Sequence, residues 1–161
     1  MEVIVKTPVI GIPSWGWKKK AVVYAKKYPN IHFMDISDFC YECSRHFDLL
    51  NIIDNYGDFR ESEYYQYYMD NGRDDHYIIH KIDKFKKLYD DIKNNGCDIS
   101  SIVTEDGCRL DGSHRLSILL HLHIDKANVN VFNYHFLFEQ DKIDSIKKQN
   151  SEYRKKVYSI E

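Results

Sequence analysis

The densest chemistry in the chain lies in Thr104-Glu105-Asp106-Gly107-Cys108-Arg109-Leu110-Asp111-Gly112-Ser113-His114-Arg115-Leu116. Leu116, Leu119, Leu120 and Leu122 follow at helical spacing, so Asp111-Gly112 reads as the opening of a buried helix. The first N–H groups of a helix and its dipole favour an anion, and Gly112 would let a phosphate come close to the backbone. Arg115 adds a planar fork of donors and His114 an imidazole donor. Asp111 alone would repel a phosphate. A divalent cation shared between carboxylate and phosphate oxygens removes that conflict, and Mg²⁺ sits characteristically on one or two carboxylates plus substrate phosphates. The bland alternative is that Asp111 merely caps the helix while His114 and Arg115 decorate its first turn.

Those residues must be positioned by the elements around them. Trp17, Ala21, Tyr24 and Ala25 mark a helix from Trp17 to Tyr28, stopped by Pro29-Asn30. Ile31 to Met34 is a short strand, and Ser37 stands as the N-cap of a helix carrying Phe39, Cys43, Phe47 and Leu50. Val3-Ile4-Val5 alternates weakly ahead of Pro8 and Pro13. A loop at Gly57-Asp58-Phe59-Arg60 leads into a short tyrosine-rich helix ended by Asn71-Gly72. The strongest periodicity is Ile78, Ile82, Phe85, Tyr89 and Ile92, one helical stripe that Asn94-Asn95-Gly96 terminates. Ser101 to Thr104 and Arg109-Leu110 form a hairpin about Asp106-Gly107. A strand at Val129 to Phe132 and a Lys-rich helix from Glu139 to Lys156 complete an α+β domain with a small mixed sheet flanked by helices.

A chain of 161 residues has the length of one ordinary domain, residues 1–161, without repeats or low-complexity linkers. Its 23 Lys+Arg against 25 Asp+Glu, a formal charge of -2, supply no global attraction for nucleic acid, although a local basic patch is compatible with them. No apolar run reaches the ~20 residues of a membrane span and no signal-peptide pattern opens the chain, so the expectation is a cytoplasmic protein with no membrane partner. There Cys40, Cys43, Cys97 and Cys108 stay reduced. Cys40-Tyr41-Glu42-Cys43 with His46 looks like half a zinc site, but the second pair is not tightly spaced, and small buried hydrophobes are the better reading. The tyrosines from Tyr64 to Tyr68 with Lys84, Lys86 and Lys87 read as a half-buried helix and a solvated basic face; His121 and His123 read as structural histidines.

An amphipathic helix, a hairpin, Asp111-Gly112-Ser113-His114-Arg115 opening a second helix, and a closing strand together resemble the ParB/sulfiredoxin superfamily, whose core motif is glycine, a variable residue, histidine and arginine. The resemblance covers residues 76–133 well and 55–75 loosely. It implies a ParB/sulfiredoxin-like core at 55–133, with an αβ extension at 1–54 and a terminal helix at 134–161. Sulfiredoxins carry a nucleophilic cysteine where Ser113 stands, and chromosome-partition members bind CTP and append a helix-turn-helix. The superfamily's free serine kinases have a D-G-H-H-R motif, and Asp111, Gly112, His114 and Arg115 match it, with Ser113 in place of the first histidine.

That likeness implies Asp111 as the Mg²⁺ ligand, Gly112, Ser113, His114 and Arg115 as the nucleotide-phosphate site, and ATP or ADP as donor to a hydroxyl of an amino acid, sugar or polyol. It also places an earlier acidic residue on the substrate hydroxyl. Glu61 and Asp58 rank above Glu63 for that role, with Asp35, Asp38 and Asp54 in reserve, and Arg60 either joins the phosphates or pairs with one of these acids. A catalytically silent nucleotide- or ligand-binding module and a ParB-like nucleic-acid-associated domain are the competing expectations.

Overall fold

The computed structural model describes residues 16–38 and 44–158, so Val3-Ile4-Val5, Cys40 and Cys43 lie outside the described residues. In chain order the elements are α1 (Gly16–Lys27), β1 (Ile31–Asp35), α2 (Ser44–Asp54), a 3-10 turn (Phe59–Glu61), α3 (Glu63–Asp70), α4 (Asp75–Asn95), β2 (Ile102–Thr104), β3 (Arg109–Asp111), α5 (Ser113–His121), β4 (Lys126–Phe132), a second 3-10 turn (Tyr134–Phe136) and α6 (Gln140–Tyr158). The architecture is mixed α+β with a four-stranded sheet in the order β1-β4-β2-β3. β2 runs antiparallel to β3, with Ile102 opposite Asp111, and parallel to β4, with Val103 opposite Val131. Two antiparallel strands can be joined by a tight turn, whereas the parallel β2–β4 pair needs the longer connection that contains β3 and α5.

The chain divides into two compact units. One comprises residues 1–31, 102–111 and 130–161; the other comprises 32–101 and 112–129. In the first, Trp17 and Ala21 of α1 pack with Phe132, Tyr134, Ile143 and Ile146. Asn130 closes the end of α1 by donating to the Ala25 carbonyl at 2.8 Å and accepting from the Asn30 amide at 2.9 Å. Its amide thereby satisfies backbone groups that a helix terminus otherwise leaves open. The hairpin turn is set by Gly107, at φ 87°, and by the Thr104 hydroxyl, which accepts from the Cys108 amide at 2.8 Å. Asp106 accepts the buried Tyr134 hydroxyl at 2.7 Å, so the turn is tied to the core beneath it.

The second unit is built on the stripe expected from periodicity: Ile78, Ile82, Phe85, Tyr89 and Ile92 of α4 are all buried. Asp74 caps α4 by accepting from the Tyr77 amide, and Gly96, at φ 80°, ends it. α5 packs on α2 and α4 and contributes buried Leu116, Ile118 and Leu119. The end of α5 is a Schellman cap: His123 adopts φ 64° and donates to Leu120 O, and Ile124 donates to Leu119 O. Asp54 at the end of α2 bonds His121 at 2.6 Å and Tyr89 at 2.8 Å, which makes His121 the structural histidine the sequence suggested. Phe39 and Cys43, which the sequence places on a helix capped by Ser37, lie outside the described residues. Ser37 lies in a turn where Asp35 accepts its amide and hydroxyl, and α2 is described only from Ser44.

Candidate functional site

Asp111 and Gly112 are adjacent in the chain but fall in different compact units. In the first unit, Asp111 ends β3 with an exposed carboxylate 3.5 Å from the Lys26 ammonium. It is not the cap of α5, as the bland reading of the sequence had it. Gly112 holds that position, at φ 93° and ψ 28°, and α5 has no side-chain N-cap bond. The glycine is required twice over. Its φ is one that L-residues rarely adopt, and a Cβ there would sit 2.6 Å from the Ser100 carbonyl oxygen and 2.7 Å from Ser101 Cβ. Its lack of a side chain therefore serves the packing of α5 on residues 100–101 as well as any approach of a ligand. Ser101 Oγ is buried and has no hydrogen-bond partner among the described residues.

His114, one residue into α5, is held on several sides. Its Nε2 and the Tyr64 hydroxyl are 3.0 Å apart. The rings of His46, Phe85 and Tyr64 meet the imidazole at centroid distances of 4.7, 4.9 and 6.0 Å, all edge to face. Burial pushes the Tyr64 phenol far up, so it remains protonated through the physiological range. The Ser117 hydroxyl donates to the His114 carbonyl at 2.8 Å. Ser113 is half-buried and Arg115 exposed. Burial raises the Cys97 thiol while the Arg115 guanidinium opposes that rise, which puts this cation within electrostatic reach of the loop after α4.

Asp58 caps the 3-10 turn by accepting from the Arg60 amide at 3.0 Å. Arg60 is engaged by Asp75, with Nε and Nη2 bonds of 2.9 and 3.0 Å, and lies 4.0 Å from Asp58. Tyr65 also donates to Asp75, at 2.6 Å. The Arg60 fork and the Tyr65 bond hold Asp75 below the ordinary aspartate value of 3.8. Asp58 is one of the acids the sequence offered Arg60, whereas the shorter, forked pairing is with Asp75, which the start of α4 brings in. Glu61 is exposed, its amide donates to the Asp58 carbonyl at 3.0 Å, and its carboxylate makes no hydrogen bond or ion pair with the described residues. Among those residues no hydrogen bond or ion pair joins Asp58, Arg60 or Glu61 to the first turn of α5. The Glu63 amide donates to Asp48 at 2.7 Å, consistent with a first-turn role. Of the reserve acids, Asp54 and Asp35 serve their own local contacts.

Two residues at the site escaped the sequence. Tyr64 was legible only as part of an aromatic helix, and His46 only beside the cysteines. The spacing of His46 with Leu49 and Leu50 put it on the buried face of α2, but nothing in the chain announced that this face meets His114. Among the described residues no group of three or more His, Cys, Asp and Glu side chains could hold a metal. The Asp111 carboxylate, which the resemblance names as the Mg²⁺ ligand, is exposed and 3.5 Å from the Lys26 ammonium. No helix is long and apolar enough to cross a membrane among the described residues. Comparison with protein-family models, curated proteins and solved structures finds no match for the chain.

Proposed function

We propose that the chain binds a Mg²⁺-nucleotide, ATP or ADP, at the opening of α5 and transfers its terminal phosphoryl group to a hydroxyl of a small molecule. The observation that carries this reading is the setting of His114: an imidazole clamped by Tyr64, His46 and Phe85 at the first turn of a helix with no side-chain cap. Beside Gly112, Ser101 carries a buried hydroxyl that has no hydrogen-bond partner among the described residues. Phosphoryl transfer asks mainly for positioning and charge neutralisation. His114 and Arg115 bind phosphate oxygens, Arg115 as a planar fork and His114 as an oriented donor. Mg²⁺ carried by the nucleotide would neutralise phosphate charge.

The acceptor hydroxyl must lose its proton as its oxygen bonds to phosphorus and the bridging P–O bond to the nucleotide breaks. Glu61 is the better candidate to take that proton, because Asp58 already caps its turn while the Glu61 carboxylate is uncommitted. The same spacing of parts supports a second reading, a nucleotide-binding module without turnover, since among the described residues neither Asp58 nor Glu61 bonds to the first turn of α5. Phosphorus NMR of the pure protein with Mg²⁺, ATP or ADP and a panel of amino acids, sugars and polyols separates them. A new phosphomonoester signal with one acceptor supports the kinase reading. Nucleotide binding with no phosphoester from any acceptor supports the module.

A further inference from the structure

In the first unit, α1 turns Trp17, Ala21 and Ala25 into the core, which leaves its opposite face to form one wall of a groove of about 970 Å³. The other wall comes from Leu137, Phe138 and Lys142. Its chemistry is of two kinds. Val23, Tyr24 and Tyr28 join Leu137 and Phe138 in an apolar floor, with Val23 63% and Tyr28 54% exposed. Lys19, Lys20, Lys27 and Lys142 stand around that floor, and no carboxylate lines it among the described residues. This pattern differs from the rest of α1, where Lys26 is occupied by Asp111.

We propose that this groove binds an anionic amphiphile: a molecule with an alkyl or aryl body and a phosphate, sulfate or carboxylate head. Lysines bury their methylene stems along apolar surface and present the ammonium at its edge, so apolar body and anionic head are both complemented. The volume is within the range of small-molecule sites. Lys19 and Lys27 are eight residues apart, about 12 Å along the helix, so the amines offer the head more than one place to settle. A single-stranded nucleic acid is the rival polyanion. It would need open ring faces for base stacking, and the Tyr24 ring is already engaged by Phe136 at 5.4 Å, Tyr28 at 5.0 Å and Phe132 at 6.1 Å. The site belongs to the unit that holds α1 and α6 and does not depend on the nucleotide reading.

The test is calorimetric titration of the whole chain with dodecyl phosphate below its micellar concentration, beside dodecyltrimethylammonium and a single-stranded oligothymidylate. Saturable binding of one dodecyl phosphate per chain, weakened by salt, is expected, with no binding of the cationic detergent. Lys19→Glu/Lys27→Glu and, separately, Val23→Asp should each weaken it at least about tenfold. All three positions are exposed, and unchanged circular dichroism confirms that the variants fold. Absence of saturable binding, equal uptake of the cationic detergent, variants that bind as the parent does, or tighter competing binding of the oligothymidylate would each overturn the proposal.

Discussion

Tyr64 and His114, fifty residues apart in the chain, meet with 3.0 Å between the phenol oxygen and Nε2. α3 thereby fixes the ring that α5 presents at its first turn. A neutral hydrogen bond contributes about 1 kcal/mol, and a part-buried ring nitrogen left without its partner adds to the loss. Tyr64→Phe should therefore lower nucleotide affinity by about three- to tenfold with a small fall in stability. Nitrogen NMR of the His114 ring should show a changed tautomer balance, which loss of packing alone would not produce.

Gly112→Ala should be among the most damaging single changes in the second unit. Placing a β-carbon at φ 93° costs about 1–2 kcal/mol, and the approach to the Ser100 carbonyl adds to it because the obstacle is backbone. Denaturant unfolding should show at least about 2 kcal/mol lost. A stable Gly112→Ala protein would mean that the backbone of residues 100–101 shifts easily.

Acid should loosen the second unit through Asp54 as well as Asp75. Burial works to raise Asp54, but its bonds to His121 and Tyr89 and the nearby positive charge prevail and hold it below 3.8. A carboxylate depressed in the folded state stabilises it above the unfolded value. That contribution disappears as pH falls through the depressed folded value. Unfolding free energy should fall below about pH 4, and the double variant Asp54→Asn/Asp75→Asn should show a shallower acid limb. An unchanged slope would remove both residues as its origin.

Much of this was readable from the chain because it is local. The α4 stripe, its Asn94-Asn95-Gly96 stop, the hairpin about Gly107 and the helix opening at Gly112 each follow from neighbours within a few residues. The parts that escaped are long-range. Asp75 claims Arg60 across fifteen positions, and His46 reaches His114 across sixty-eight. Gly112 was noticed for the space it leaves a ligand, whereas its left-handed backbone and the closeness of Ser100 and Ser101 appear only once the chain is folded.

If Glu61 accepts the acceptor's proton, Glu61→Gln should keep nucleotide affinity and lose turnover by the roughly 10²–10⁴-fold of general-base removal. Asp58→Asn should instead disturb the turn it caps. Turnover surviving intact in both, once an acceptor is known, would move the search to other acids.

The central claim is that the opening of α5 holds nucleotide phosphates, and calorimetry of Mg²⁺-ATP and Mg²⁺-ADP binding to the parent and to Arg115→Ala addresses it directly. Arg115 is exposed, so its removal should leave the fold intact. A charge-assisted bond to phosphate contributes about 1.5–3 kcal/mol, so affinity should fall by about ten- to a hundredfold with unchanged thermal stability. Equal affinity in the parent and in a folded Arg115→Ala protein, or no nucleotide binding by the parent, would contradict it.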